Sequence, residues 1–313
     1  MKSASRVLIT GVNGFTGRWL VAHLRNGPRL HLAGLGRSAD TGVDLDSYTA
    51  CDLRQAGPLA DAVARVRPEF VFHLAGCNAF HPAEEIEAVN VRGFEHLLAA
   101  LSAVKPRRPI RLLTVGSAAE LGRPGAARLP VTEDAACEPE SVYGQSKWAV
   151  TRRVLTGDVP PEVEVLVART FNLAGPGLDR RLALGHFVEQ IAAFRRGEID
   201  ALRCGRLDTR RDYVDVRDAV AAYASLIEHG RPGAIYNVCV GHSHSLRDVL
   251  ETMLELAGLR PPILADDSQP RPGDLADVYG SLARLTAATG WRPTTPLRQT
   301  LADMLAVAVL RNS

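Results

Sequence analysis

Tyr143 and Lys147, four residues apart in Tyr-Gly-Gln-Ser-Lys, are the pair in this chain best suited to chemistry. That spacing sets both side chains on one face of a helix. A phenol titrates at about 10 and is a poor base at neutral pH. A neighbouring ammonium favours the phenolate and lowers that value. Together they form an acid/base matched to interconverting an alcohol and a ketone. Ser117 stands just past the apolar strand that ends at Val115. Its hydroxyl is expected at that strand's end, where it can donate a hydrogen bond to a substrate oxygen beside Tyr143.

A second chemical signal lies near the start of the chain. The apolar run Val7-Leu8-Ile9 ends at Thr10, and glycines follow at 11, 14 and 17 before a helical pattern carried by Phe15, Trp19, Leu20 and Leu24. Gly11 suits the tight turn out of a strand. Gly14 suits a close backbone approach to a pyrophosphate, and Gly17 lets the helix sit against the sheet. The helix N-terminus then offers free N–H groups to phosphate.

These groups need a scaffold, and the pattern supplies one. Apolar runs at Val7–Thr10, His31–Leu35, Tyr48–Cys51, Phe70–Leu74, Ile110–Val115 and Val163–Ala168 read as strands. Helical patterns at Phe15–Asn26, Pro58–Val66, Ile86–Val104 and Ser141–Leu155 separate them. Such alternation predicts an α/β fold, a doubly wound parallel sheet of Rossmann type. Beyond Asn172 a helix is expected at Gly185–Arg196. Tyr213–Val216, a helix near Ala219–Ile227 and Ile235–Val238 are expected to return to the sheet. Ser245 and Asp248 form a capping-box pattern, 266–274 reads as a polar loop, and Leu297–Leu310 as a closing helix. Residues 1–172 and 206–240 are thus assigned to the dinucleotide-binding domain. Residues 173–205 and 241–313 form a smaller, mostly helical substrate region.

The bulk properties exclude several classes. A net charge of +2 over 313 residues argues against general nucleic-acid binding, although arginine clusters can still meet a phosphorylated small molecule. No run of about 20 apolar residues could span a membrane. The chain opens Met-Lys-Ser-Ala-Ser-Arg without an apolar signal core, and a cytoplasmic protein is expected. Cysteines at 51, 77, 137, 204 and 239 include no Cys-x-x-Cys pair, so neither a disulfide framework nor a zinc site is expected. His242-Ser-His244 has metal-like spacing but no adjacent acidic ligands, and reads as a loop before a helix.

With the motifs assembled, the chain resembles the extended short-chain dehydrogenase/reductase family. The likeness rests on Thr10-Gly-x-x-Gly14-Phe-x-Gly17, Asp52-Leu53, His73-Leu-Ala-Gly76, Asn90-Val-x-Gly93, Ser117, Tyr143-x3-Lys147 and Arg169-Thr-Phe-Asn172. It continues through Arg211-Asp-Tyr-Val-Asp215, Tyr236-Asn-Val and Arg271-Pro-Gly-Asp274. Within that family it is most similar to GDP-4-keto-6-deoxymannose reductases and related nucleotide-sugar 4-ketoreductases.

The resemblance implies that Tyr143 donates a proton, Lys147 lowers its pKa and holds the nicotinamide ribose, and Ser117 orients the carbonyl. It implies cofactor contacts from Gly11, Asn13, Gly14, Phe15, Thr16, Gly17, Arg37, Ser38, Asp52, Leu53, Leu74, Ala75, Gly76 and Asn90. For a nucleotide-diphosphate sugar it implies contacts from Asn172 and a phosphate clamp of Arg211 and Arg271. It also implies a homodimer paired through the helices at 86–104 and 141–155.

The cofactor choice turns on Gly36-Arg37-Ser38 after the second strand, where NAD-binding relatives place an acid. Arg37 and Ser38 suit a 2′-phosphate, so NADP(H) is expected. Asp40, turned inward, would serve NAD(H). Two departures from the family pattern, Gly116 and Leu121, predict an altered pocket wall. Sugar dehydratases of this family place carboxylates in the two positions after the catalytic hydroxyl. Here Ala118 and Ala119 stand there, and Glu120 is expected to point to the other face. The expected activity is ketone reduction. A nucleotide-sugar C4 epimerase and a non-catalytic cofactor sensor are the alternatives.

Overall fold

The computed structural model describes residues 4–123, 125, 128–265 and 277–310. The first six strands are β1 (Ser5–Thr10), β2 (Leu30–Gly36), β3 (Ser47–Ala50), β4 (Phe70–His73), β5 (Ile110–Ser117) and β6 (Val163–Thr170). Among them lie α1 (Phe15–Arg25), α2 (Ala56–Val66), α3 (Ala83–Ile86), α4 (Gly93–Ala103) and α5 (Val142–Leu155). Then come β7 (Asn172–Ala174), α6 (Ala183–Arg195), β8 (Leu202–Cys204), β9 (Arg210–Arg211), β10 (Tyr213–Asp215), α7 (Val216–His229) and β11 (Ile235–Val238). The chain closes with β12 (His244–Ser245), α8 (Leu246–Ala257), β13 (Ile263–Ala265), β14 (Asp277–Val278), α9 (Ala283–Thr289) and α10 (Leu297–Leu310).

Seven strands form one sheet in the order β11-β6-β5-β4-β1-β2-β3, every neighbouring pair parallel. Parallel pairing demands crossover helices, and these cover both faces. Alternate residues of β1 therefore meet two different layers. Val7 and Ile9 pack with Leu20 and Val21 of α1 and Val220 and Tyr223 of α7. Leu8 packs with Leu59 of α2, Leu97 of α4 and Val150 of α5. The strand order reverses between β1 and β4, which opens a crevice at their carboxyl ends. A third core gathers Phe187 and Ile191 of α6, Leu250 and Met253 of α8, and Leu301 and Met304 of α10.

Two elements differ from the sequence reading. The helix expected at 86–104 runs from α3 through a π-helical stretch, Glu87–Arg92, before α4. Such bulges collect at functional sites, and this one carries Asn90. Residues 213–215 do not join the main sheet; β10 pairs with β7. The reason lies at Asp212, which is fully buried. Its carboxylate accepts from the backbone N–H groups of Val240 (2.8 Å), Gly241 (2.9 Å) and Gly280 (3.3 Å). Those bonds fasten the segment past the end of β11. The polar loop expected at 266–274 lies outside the described residues, and Arg271 with it.

Two carboxylates at the start of α7 reach beyond the sheet. Asp215 caps α7 through the Arg217 N–H (2.8 Å) and accepts the Thr300 hydroxyl of α10 (2.6 Å). Asp218 accepts from Thr294 Oγ1 (2.8 Å) and from the Thr295 N–H (2.8 Å).

Candidate active site

Ser117 is the last residue of β5 and caps the 3-10 turn Ala118–Leu121, its Oγ accepting the Ala119 N–H at 3.1 Å. That turn supports α5: a side chain at Gly144 would run into the Ala119 carbonyl oxygen. Ser141 caps the same helix through the Gly144 N–H at 3.0 Å. Tyr143, in the first turn of α5, thereby faces Ser117. Both line a cavity of about 260 Å³ with Thr170, Asn172, Arg211 and Glu140.

Lys147 lies one turn further along α5. Its Nζ sits 5.9 Å from the Tyr143 ring centroid and donates to the Val115 carbonyl at 3.0 Å. A Cβ at Gly76 would come within 3.4 Å of the same Nζ. The amine therefore lies between the phenol and the Gly76 loop that follows β4. Burial pushes the Tyr143 phenol above its ordinary value; the Ser117 side chain opposes this and the charge of Glu120 adds to it. The lowering expected from Lys147 is not seen: the phenol is raised, and Lys147 is not among the causes of its shift. The Lys147 ammonium is itself pushed down by burial.

At the β1–α1 turn the glycines leave no spare room. Gly11 adopts φ +69°, and a Cβ there would lie 2.6 Å from the Ala75 nitrogen. A Cβ at Gly17 would lie 2.6 Å from the carbonyl oxygens of Gly11 and Val12. Gly14 caps α1 with no side-chain hydrogen bond, which leaves the first-turn N–H groups at Phe15 and Thr16 without one. Asn13 ties the turn to Tyr48 (3.0 Å), while its buried Oδ1 has no partner. A bare helix start, a backbone cradle closed to any Cβ and an orphaned acceptor fit a dinucleotide. Opposite the turn, Thr10 Oγ1 hydrogen-bonds His73 Nδ1 (2.8 Å) and accepts the Ala75 N–H (3.2 Å), which fixes Leu74-Ala75-Gly76. Burial drives the His73 imidazole down to about 3, so it stays neutral and packs against Phe94.

The remaining residues expected at the cofactor have definite positions. Arg37 pairs with Glu85 at 3.2 Å, and the Ser38 carbonyl accepts the Tyr48 hydroxyl at 2.6 Å. Asp40 accepts the Thr41 N–H at 2.7 Å, which holds its carboxylate in a local turn. Asp52 is held by Arg54 at 2.6 Å, and that bond keeps its carboxyl below the usual range; Leu53 is buried. Asn90 bonds the Cys77 backbone from both sides (2.7 and 3.0 Å) and donates to Ser146 (2.9 Å). It therefore locks the Gly76 loop to α5.

Asn172 and Arg211 also line a second cavity of about 710 Å³, with Arg180, His186, Arg206 and Tyr213. The two cavities share a wall, so a long ligand could occupy both. Among the described residues, Cys77, His81 and Glu85 bring donor atoms within 4.8 Å of one another. Burial pushes the Cys77 thiol up and Glu85 is engaged by Arg37, so the trio is not a ready metal site. His242 and His244 stack edge to face at 4.9 Å.

Sequence reasoning missed three features. Arg18, whose Nε donates to the Asn13 carbonyl at 3.0 Å, puts a cation on the glycine turn. Glu140 joins the cavity wall, where it pairs with Arg123 at 2.9 Å. Arg169 and Glu120 form a wholly buried ion pair at 3.2 Å behind Ser117. Only the last left a signal, an arginine inside an apolar strand pattern.

The model of the NAD dependent epimerase/dehydratase family matches residues 7–239. The chain is 31% identical over 306 residues to the GDP-6-deoxy-D-mannose reductase of Pseudomonas aeruginosa, covering 96% of each. It is 26% identical over 306 residues to the dTDP-6-deoxy-L-talose 4-dehydrogenase (NAD(P)(+)) of Kitasatospora kifunensis, covering 96% of this chain and 94% of the other. RMD from Pseudomonas aeruginosa, solved in complex with NADPH, superposes with a TM-score of 0.85 at 31% identity, over 98% of this chain and all of the other.

Proposed function

The chain belongs to the NAD dependent epimerase/dehydratase family, and from that premise we propose that it reduces the C4 ketone of a nucleotide-linked 4-keto-6-deoxy sugar with NADPH. One observation carries the reading: Ser117 and Tyr143 line a single cavity, beside two alanines in place of the carboxylates a dehydratase needs. The named activities and cofactor of its relatives support it.

NADPH, when bound, supplies the hydride. Tyr143 gives its proton to the oxygen of the reacting carbonyl, and Ser117 holds that oxygen by a hydrogen bond. Lys147 holds the ribose and its charge favours proton release. Gly11 to Gly17 cradle the diphosphate of the cofactor, and Arg37 and Ser38 meet its 2′-phosphate. Leu74 to Gly76, Asp52, Leu53 and Asn90 close the rest of that site. Asn172 and Arg211 clamp the nucleotide-sugar diphosphate, with Arg271 as a further arm. Residues 1–172 and 206–240 serve the cofactor. Residues 173–205 and 241–313, of which helices α6, α8 and α10 share a separate core, serve the nucleotide.

The test is to mix the protein with NADPH and 4-keto-6-deoxy sugars on several nucleotide bases and follow cofactor absorbance. Stoichiometric oxidation is expected, and none with any base would sink the reading. Protein that purifies with tightly held NAD and interconverts C4 epimers would instead support the epimerase alternative.

Arg37→Ala is expected to raise KM for NADPH about tenfold while leaving KM for NADH unchanged, since a charge-assisted phosphate contact is worth roughly 1.5 kcal/mol or more. Equal wild-type rates with matched NADH and NADPH would count against that assignment. A homodimer through α4 and α5 is proposed from the family resemblance; a monomer mass in sedimentation at micromolar protein would refute it. Among the described residues no helix is long and apolar enough to cross a membrane. The free thiols at 51, 77, 137, 204 and 239 suit a reducing cytoplasm, where we place the reaction.

A further inference from the structure

Behind the catalytic cavity sits a charged unit that the reaction does not require to touch substrate. Glu120 and Arg169 have no side-chain exposure and pair at 3.2 Å. Glu120 Oε1 accepts the Ser117 N–H at 2.8 Å and the Thr151 hydroxyl of α5 at 3.1 Å. Arg169 reaches on to the Glu133 carbonyl (3.5 Å) and Cys137 Sγ (3.2 Å). Burial pushes the Glu120 carboxyl above its ordinary value, while the Arg169 charge and the donors on both oxygens oppose that and favour the carboxylate. Gly116 explains how the carboxylate fits. A Cβ at 116 would lie 2.5 Å from Glu120 Oε1, 3.0 Å from Val167 Cγ1 and 3.4 Å from Thr151 Oγ1. The missing side chain, a departure from relatives with serine or threonine there, is the notch that admits the carboxylate.

We propose that Glu120 is a positioning residue for ketone reduction: seated in the Gly116 notch and anchored by Arg169, its carboxylate clamps the Ser117 turn to helix α5 and so sets the spacing of the Ser117 and Tyr143 hydroxyls. A buried ion pair is a costly way to gain stability, and a bond from its carboxylate to the backbone of Ser117 gives this one a use at the site. The charge has a second effect, because it faces both the phenol and the ammonium and favours the protonated form of each.

The groups facing Tyr143 are Ser117 and Glu120 from the β5 turn, Lys147 on its own helix and Tyr223 from α7; Arg211 and Glu140 line the same cavity. His73 and Cys77 face Lys147, and His73 is neutral across the working range. Removing the Glu120 charge must therefore make the phenol ionise at lower pH.

This inference rests on the reductase reading, so its test has a readout independent of turnover. Phenolate absorbance of Glu120→Gln is titrated against the same variant carrying Tyr143→Phe, and the pair is compared with wild type. The Tyr143 transition is expected to move to lower pH. In assays of the ketone, the alkaline limb of kcat should move down by the same amount. The loss should fall on kcat, roughly tenfold, with KM for NADPH changed less than about twofold. Because an unpaired Arg169 could unfold the chain, Glu120→Gln/Arg169→Met removes both charges at similar volume and is read the same way. An unmoved phenolate transition in a folded variant, or failure of both variants to fold, would overturn the proposal and leave Glu120 a structural residue. A wild type that titrates as expected but oxidises no NADPH would fault the reductase reading alone.

Discussion

Tyr143→Phe should lower kcat about a thousandfold while NADPH still binds, because positioned proton transfer contributes roughly 10²–10⁴ to a rate. The ring keeps its place in α5 and loses only the hydroxyl. KM for the ketone should rise little, since Ser117 and the substrate arginines remain. Single-turnover rates and NADPH fluorescence titration together check this. Retention of more than about a tenth of the wild-type kcat would remove Tyr143 from the chemistry. The wild-type pH profile carries the same logic with a sign. Burial raises the phenol, and Glu120 raises it further. The protonated form needed for reduction therefore persists through neutrality and is lost only as pH climbs past that raised value. Wild-type kcat should be level near neutral pH and decline on the alkaline side.

Gly17→Ala should weaken NADPH binding at least tenfold and lower Tm. The new methyl would stand 2.6 Å from the carbonyl oxygens of Gly11 and Val12, which are backbone atoms and cannot swing aside. Helix α1 must then retreat from the turn, and its first N–H groups leave the diphosphate. Overpacking of this kind costs about 1–3 kcal/mol, and every 1.4 kcal/mol is a factor of about ten in affinity. Fluorescence titration with NADPH, alongside a thermal melt, measures both losses. Unchanged affinity would mean that the turn does not cradle the cofactor.

The parts of this molecule that sequence reveals are those whose physics is local. Val7 to Gly17 announces strand, turn and helix because each glycine answers a short-range steric demand. Tyr143 and Lys147 were visible because helical spacing alone brings them together. Strand alternation predicts Glu120 on the far face; it lies in the 3-10 turn after β5 and stays out of the cavity wall. What it does there could not be read, since its partner Arg169 is 49 residues away and meets it only when β6 pairs with β5. The same holds for residues 213–215, where an apolar triplet suggests a strand without naming its neighbour. Asp212, buried among three distant N–H groups, decides that choice. The upward push of burial on the phenol likewise depends on how much chain closes over it, which spacing does not report.

The carboxylates of Asp215 and Asp218 also determine how the cleft can be entered. Asp215 caps α7 and Asp218 lies in its first turn, yet each is bonded to threonines near the C-terminus, at 300, 294 and 295. Arg217, between them, adds an ion pair to Asp303 at 2.7 Å. These contacts tie residues 294–303 to the flank of α7, away from the catalytic cavity. A hinge opening on this flank would have to break the buried Thr300–Asp215 bond and the Asp218 and Arg217 contacts beside it.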